Sequence, residues 1–456
     1  MALTRLPNEL LDNIIECTLP QGFESVALTC KRIHARCTPF IKRHNELRSR
    51  FRDFTYYVDP RGSLVAASDL ITLIAAEPIV ARYIRTANLS VPSIDDGGAV
   101  DELFASSTYL RQAGLDWKEY YATFGEDVRE KRYSQHGTAL LLTLLPNTEK
   151  LTIPKLWRPN AVTNKLLDIL VDRAKQSSLL SPASSLALVT RFDISLGQNE
   201  QVDLSWATPF LTLPRIASFH GSRCLASGDN PRSLAFRGSR HMAETLQVAN
   251  LASCCIDDVG IAELLKHTPR LKTLRYWHYT KYDSPIQDWD ICKFVNVVAR
   301  EAGSHLVELS VAIRELRGSI IPGKASMRGF QKLEKLEYPL ELVMCNINAT
   351  GAASHIATLF QRFLNGLIDP FVRDLIPTSV AQLSLKSEGT DSHEKALNDL
   401  FRHFRPVRKP QLPALQEIDI ACPSSADDVY KQQCHKIVAE ASGEGVVVRL
   451  QPFDYT

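Results

Sequence analysis

Few features that would betray a chemical function are present in this 456-residue chain. No apolar run approaches the eighteen or so residues that a membrane-spanning helix needs, so a membrane protein is not expected. The start, Met1-Ala2-Leu3, lacks the charged-then-apolar layout of a secretion signal and runs straight into a helical pattern. Charge of one sign is also missing: 53 Lys+Arg against 51 Asp+Glu leave a formal net charge of +2. That balance gives no global argument for nucleic acid or a membrane surface. Ten cysteines are scattered without any C-x-x-C spacing and read as reduced, mostly buried thiols of a cytoplasmic or nuclear protein. Neither G-x-G-x-x-G, nor a P-loop, nor G-x-S-x-G occurs. No cofactor and no catalytic residue are expected, and the chain reads as a non-enzyme.

Candidate metal and nucleophile groupings are thin. Cys30, His34 and Cys37 share a helical face but have no fourth ligand for zinc. His393-Glu394 lacks a second histidine, and Cys434-His435 are sequence neighbours, which do not face each other on a helix. The basic run Arg402 to Lys409 reads as a solvated loop. Vicinal Cys254 and Cys255 read as small hydrophobes packed behind a strand centred on Leu246.

What is there begins at Leu6-Pro7-Asn8-Glu9-Leu10-Leu11-Asp12-Asn13-Ile14-Ile15. Pro7 suits a first helical turn and Glu9 suits the positive end of the helix dipole. Leu10/Ile14 and Leu11/Ile15 are i, i+4 pairs, giving a broad apolar face. Phe23, Val26, Ala27, Cys30, Ile33 and Cys37 continue one helical stripe until Pro39, where a break is expected, with Lys31, Arg32 and Arg36 beside it. These helices carry more apolar surface than they can bury among themselves, so a partner is expected.

The pattern Leu-Pro-x-Glu-Leu-Leu-x-x-Ile-Ile, followed by Leu28-Thr29-Cys30-Lys31-Arg32-Ile33, resembles the F-box, in its filamentous-fungal form, over residues 4–50. The resemblance implies an adaptor-binding face for a Skp-type subunit of SCF ubiquitin ligases, formed or supported by Leu6, Pro7, Leu10, Leu11, Ile14, Ile15, Leu28, Cys30 and Ile33. The linker Pro20 to Gly22 departs from the family in lacking its acidic residue. A helical hairpin packed on its own domain is the alternative.

Further along, Leu-x-x-Leu-x-Leu phrases recur after proline turns, as at Leu271 to Leu274, Leu306 to Val311, Leu333 to Tyr338, Val380 to Leu385 and Leu415 to Ile420. Their alternation predicts half-buried strands. Anchored on Leu151, Phe192, Phe219, Leu246, Leu274, Leu309, Leu336, Leu383, Ile418 and Val448, they space at about 27 residues with insertions, within the range of leucine-rich repeats. Helices are predicted at Gly260 to Lys266, Ile291 to Ala302 and His355 to Leu367. The expected fold class is α/β: a short all-α F-box over 1–50, a linker and irregular first repeat with a helical insertion over 51–137, and a leucine-rich-repeat solenoid over 138–456. That solenoid resembles the degenerate repeats that often follow an F-box and implies a curved parallel sheet with helices outside. A doubly wound sheet is the competing fold.

In this register the residues between the leucines line the concave face. Arg275, Trp277, Glu308, Lys335, Glu337, Gln382, Glu417 and Asp419 are the candidate target-binding set, and the mixed charge argues against a polyanion. Trp277 stands in an aromatic patch, Arg275 to Tyr282, that either anchors an interface or caps the core. Together these readings make the chain a substrate-receptor subunit of an SCF-type ligase, with an unidentified protein target. A non-degradative scaffold or an α/β enzyme are the rivals.

Overall fold

The computed structural model describes residues 5–55, 67–89, 100–130, 133–154, 156–177, 184–194, 202–228, 242–280, 287–351, 374–402 and 404–452. The chain divides into two compact units, one comprising residues 1–198 and 209–216, the other 199–208 and 217–456. The boundaries expected near residues 50 and 137 both fall inside the first. The predicted helix at His355 to Leu367 lies outside the described residues.

The first unit opens with helices α1 (Asn8–Cys17), α2 (Phe23–Ala27) and α3 (Lys31–Phe51). The stripe read from Phe23 to Cys37 is not one helix: it breaks at Cys30, whose extended backbone caps α3. Nor does Pro39 end α3. A proline removes one helical hydrogen bond, yet α3 runs twelve residues past it to Phe51. Tertiary burial at Cys37, His44 and Phe51 explains the continuation, since all three are inside the unit. Beyond α3 come strands β1 (Asp53–Thr55), β2 (Thr86–Asn88), β3 (Lys150–Ile153) and β4 (Arg191–Ile194), each parallel to the next. The expected strand at Leu89 stops one residue earlier, with Leu89 buried beside it. Between β2 and β3 lie the helices Asp101–Ser106, Thr108–Gln112, Trp117–Arg129 and Gln135–Leu142, the helical pieces expected of an insertion. Phe104, Tyr120 and Phe124 form its buried core.

The second unit carries β5 (Val202–Asp203), β6 (Ser218–Ser222), β7 (Cys224–Ala226), β8 (Val248–Ile256), β9 (Thr273–Tyr279), β10 (Glu308–Glu315), β11 (Lys335–Pro339), β12 (Gln382–Lys386), β13 (Glu417–Ala421) and β14 (Val447–Gln451). From β8 to β14 every strand pairs in parallel with the next in the chain. A doubly wound sheet reverses its strand order at a switch point, and this unit does not. Its order is that of a solenoid, in which each repeat leans on its neighbours.

A small hydrogen-bonding device repeats where the strands begin. One carbonyl accepts from two successive amides of the following repeat: Gln247 O from Lys272 and Thr273, Lys272 O from Val307 and Glu308, Val307 O from Glu334 and Lys335, and Ala381 O from Gln416 and Glu417, at 2.8–3.1 Å. Each clamp fixes the register before the ladder starts, so a slip that would invert the two faces is blocked. Leu274, Leu309, Leu336, Leu383 and Ile418 occupy one buried row, and Leu271, Leu306, Leu333, Val380 and Leu415 are buried three residues earlier.

That spacing corrects one anchor. Leu246 is not in a strand; it fills the earlier position, and Ala249 takes the strand position, paired with Leu274. The small alanine hid the true centre. For the same reason Cys254 and Cys255 are not behind the strand but within β8. Helices lie between strands at Asp258–Leu265 and Ile291–Ala302, as predicted. The basic run is corrected in part: Phe404–Gln411 is helical and not a loop, while Arg402, Arg405 and Lys409 are exposed, as a solvated segment requires. Pro406 sits in its first turn, where proline is tolerated, Phe404 is buried 5.5 Å from the Phe401 ring, and Arg408 donates to the carbonyls of Leu412 and Leu415. No helix of the described residues is long and apolar enough to cross a membrane.

Candidate functional site

Two regions hold the residues singled out in the sequence, one in each unit.

In the first unit, the i, i+4 pairs of α1 part company. Leu11 and Ile15 turn inward, 1% exposed, while Leu10 is 48% exposed and Ile14 half-buried. Successive residues on a helix differ by about 100° in direction, which produces the split. Ile15 packs with Leu19, Phe23, Ala27, Ile33 and Cys37, and Ile79 leans on the same cluster. Leu11, Ile15 and Ile33 therefore belong to the floor of any binding face, not its contact layer. Arg32 donates to the Leu6 carbonyl and the Asn8 side chain at 3.3 Å, and Arg36 grips both carboxylate oxygens of Asp12 through Nε and Nη2. Arg32 and Arg36 thus tie α3 to α1 and to the residues just before it. His44, inside α3, meets the Tyr83 hydroxyl at 2.9 Å, and burial pushes its pKa down. What remains outward is Pro7, Leu10 and Leu28, the last 83% exposed, with Leu6, Ile14 and Cys30 at the margin.

In the second unit, the predicted target-binding residues converge on one groove of about 740 Å³. Arg275, Trp277, Glu308, Lys335, Glu337, Gln382 and Asp419 all line it; Glu417 does not, but holds the side chains of two neighbours. Strand pairing places Glu308, Lys335, Gln382 and Glu417 in one row and Arg275, Ser310, Glu337, Ser384, Asp419 and Arg449 in the next. Alternation along β9 sends Trp277 outward, 43% exposed, while Tyr276 and His278 are fully buried. The aromatic patch is therefore divided: Trp277 belongs to the groove, its neighbours to the core, and Lys281 and Tyr282 lie outside the described residues.

The acids of the groove are already engaged. Glu308 receives the Arg275 guanidinium at 2.7 Å; Glu337 accepts from Ser310 at 2.6 Å and pairs with Lys386 at 3.3 Å. Glu417 is held by Arg449 at 3.1 and 3.2 Å and by Gln382 at 3.1 Å, and Asp419 accepts from Gln451 at 3.3 Å. Lys335 has no ion-pair partner among the described residues, and Arg314 has only the hydroxyl of Ser253, at 3.3 Å. Pairing of this sort in a solvated groove contributes little stability, so its consequence is geometric: the carboxylates are fixed and the two spare cations are not.

Sequence reasoning missed Arg314, and the reason is a bulge. Ile313 pairs with His278 and Glu315 with Tyr279, which leaves Arg314 as an extra residue aimed out of the ladder. On the other side of β9, Ala252 and Ser253 together oppose Trp277, and Ser253 has a φ of 54°. A non-glycine residue in that region is strained and marks a position held by its surroundings. Among the described residues no group of three or more His, Cys, Asp or Glu is arranged to hold a metal ion.

No protein-family model matches the chain, and no curated protein matches it.

Proposed function

We propose that this chain is a substrate-receptor subunit of an SCF-type ubiquitin ligase: α1–α3 bind a Skp-type adaptor, and the groove of the second unit binds a target protein. The observation that carries the reading is the division of the F-box-like residues into a packed floor and an outward set. Leu28 at 83% and Leu10 at 48% exposure are large apolar side chains in water, next to helices already cross-tied by Arg32 and Arg36. A rigid platform with unpaired leucines suits a partner helix better than it suits solvent. On this reading the curved face of a repeat array holds the target, the chain supplies no reacting group, and ubiquitin transfer is promoted by proximity.

The test is co-purification from cells of a Skp-type adaptor with the full chain and with a Leu10→Ala/Leu28→Ala variant. Recovery with the wild type and loss with the variant is the expected result; no recovery with the wild type sinks the proposal. Accumulation of a groove-bound protein when the gene is removed separates a degradative receptor from a scaffold.

A further inference from the structure

We propose that the groove takes an extended, unphosphorylated acidic peptide segment, with an apolar side chain seated on Trp277 and carboxylates meeting Arg314 and Lys335. The proposal deepens the receptor reading at its target-binding end and rests on it.

Shape comes first. The groove is lined from β9 to β14, six neighbouring strands, and at about 4.8 Å per strand it is about 24 Å long. A compact small molecule does not fill such a length, whereas an extended chain of about seven residues does, at roughly 3.3 Å per residue. The anchor point is Trp277, an exposed aromatic with the small Ala312 paired beside it on β10. A large rigid side chain beside a small one forms a seat for an apolar group from a partner.

Charge decides the rest. Arg275, Arg314, Lys335 and Lys386 against Glu308, Glu337 and Asp419 leave the lining one positive charge in excess, and the cations without an ion-pair partner among the described residues are Arg314 and Lys335. The two bulges flanking β9 place Arg314 against Ser253, across the strand that carries Trp277, so one cation lies at the aromatic seat. Lys335 lies two strands from β9 and four residues down the register from Trp277, about 16 Å away along the diagonal. An extended peptide crosses that distance in about five residues. The cations therefore stand apart. A phosphate group, with nearly two charges and three acceptor oxygens, is recognised by converging cations, while single carboxylates suit isolated ones.

The experiment uses the full chain and arrays of ten-residue peptides with a central Phe or Leu and Glu at systematically varied positions, beside matched arrays carrying Gln, Lys or phosphoserine in place of Glu. Glu peptides are expected to bind, more weakly as salt is raised, with preferred spacing of about five residues between the apolar residue and one Glu. Against the best Glu peptide, Trp277→Ala is expected to raise Kd by about tenfold or more, and Arg314→Gln and Lys335→Gln by about threefold to tenfold each. All three side chains are exposed or partly so, and unchanged melting of the variants checks that the fold is intact. Equal binding of Gln or Lys peptides, phosphoserine peptides binding tenfold tighter than Glu peptides, or no binding by any array would overturn the inference. None of these outcomes touches adaptor co-purification, which reads the other unit.

Discussion

The Tyr276 hydroxyl and His278 Nδ1 lie 2.8 Å apart in the interior of the second unit, two residues from each other on the buried side of β9. The hydroxyl also accepts from the Ile256 amide at 3.0 Å and reaches the carbonyls of Cys254 and Ile256 at 3.2 Å. Its valences are met when it donates to a carbonyl and His278 donates from Nδ1. The imidazole then stacks flat on Trp289 at 4.0 Å, with Nε2 bare. A second proton on Nε2 would be a buried donor without an acceptor.

That arrangement makes a pH prediction. Burial pushes the His278 pKa down from 6.5 to about 3. Below pH 6.5 the unfolded chain takes up a proton that the folded chain refuses, so stability is intact above that pH and falls as pH drops toward 3. The slope for one such group is about 1.4 kcal/mol per pH unit. Urea unfolding at pH 7 and pH 5 should show His278→Asn losing about 2 kcal/mol less than the wild type over this interval. His44 and His136, also shifted down by burial, are common to both proteins and cancel. An unchanged pH difference in the variant would refute the assignment.

Inward and outward side chains of the N-terminal helices carry different expectations for stability and for the proposed adaptor binding. Leu11→Ala and Ile33→Ala remove interior side chains and are expected to cost about 2–5 kcal/mol each in denaturant unfolding. Leu28→Ala removes only surface and is expected to leave stability within about 0.5 kcal/mol of wild type while weakening adaptor binding. Loss of stability in Leu28→Ala comparable to that in Leu11→Ala would place Leu28 in the core instead.

Asp257 joins two elements with one carboxylate. Oδ1 accepts from the Gly260 amide at 2.7 Å and caps the helix Asp258–Leu265, while Oδ2 accepts from the Gly228 amide at 2.7 Å and the Ser227 hydroxyl at 3.0 Å. Asp257→Ala loses the cap and strands the Gly228 amide next to β7, a combined cost of about 3 kcal/mol. Asp257→Asn keeps one acceptor and should fall between the two proteins. Equal stability of alanine and wild type would show the cap to be idle.

Thiol labelling should be sharply graded. All ten cysteines are free; Cys17 is exposed, Cys30 and Cys422 are intermediate and the other seven are buried. The neighbouring Cys254 and burial raise the Cys224 thiol, and burial holds the Cys434 thiol up at about 12, which keeps both protonated. Iodoacetamide at pH 8 should modify Cys17 first and leave Cys224, Cys254 and Cys434 untouched until urea unfolds the chain, as read by peptide mass spectrometry. Early modification of the buried three would mean the second unit opens readily.

Much of the groove is legible in the amino-acid sequence. Leucines at alternate positions gave the strand faces, and seven of the eight candidate residues lie on the groove because parallel strands in register carry a sequence period directly into space. The first failures sit where one residue changes the count without changing composition. Arg314 and Ser253 belong to bulges that no apolar pattern announces. Ala249 has too small an apolar side chain to mark a strand centre, and Leu246, three residues earlier, carries the stronger apolar signal. At the other end, α3 passes Pro39 because packing outweighs one lost hydrogen bond. The inward and outward leucines of α1 needed a fixed helix phase, which sequence spacing alone does not supply.

Chain-order pairing also has a consequence for how this molecule can change. Between Leu309 and Leu336, and again between Leu336 and Leu383, the strands pair one for one, although the second connector is much the longer. A clamp of one carbonyl on two amides resets the register after both connectors: Val307 O holds Glu334 and Lys335, and Glu334 O holds Ala381 and Gln382. A longer connector between strands therefore leaves the one-for-one pairing that lines the groove unchanged. The groove is thereby buffered against growth of the chain between strands, and its lining can change one side chain at a time.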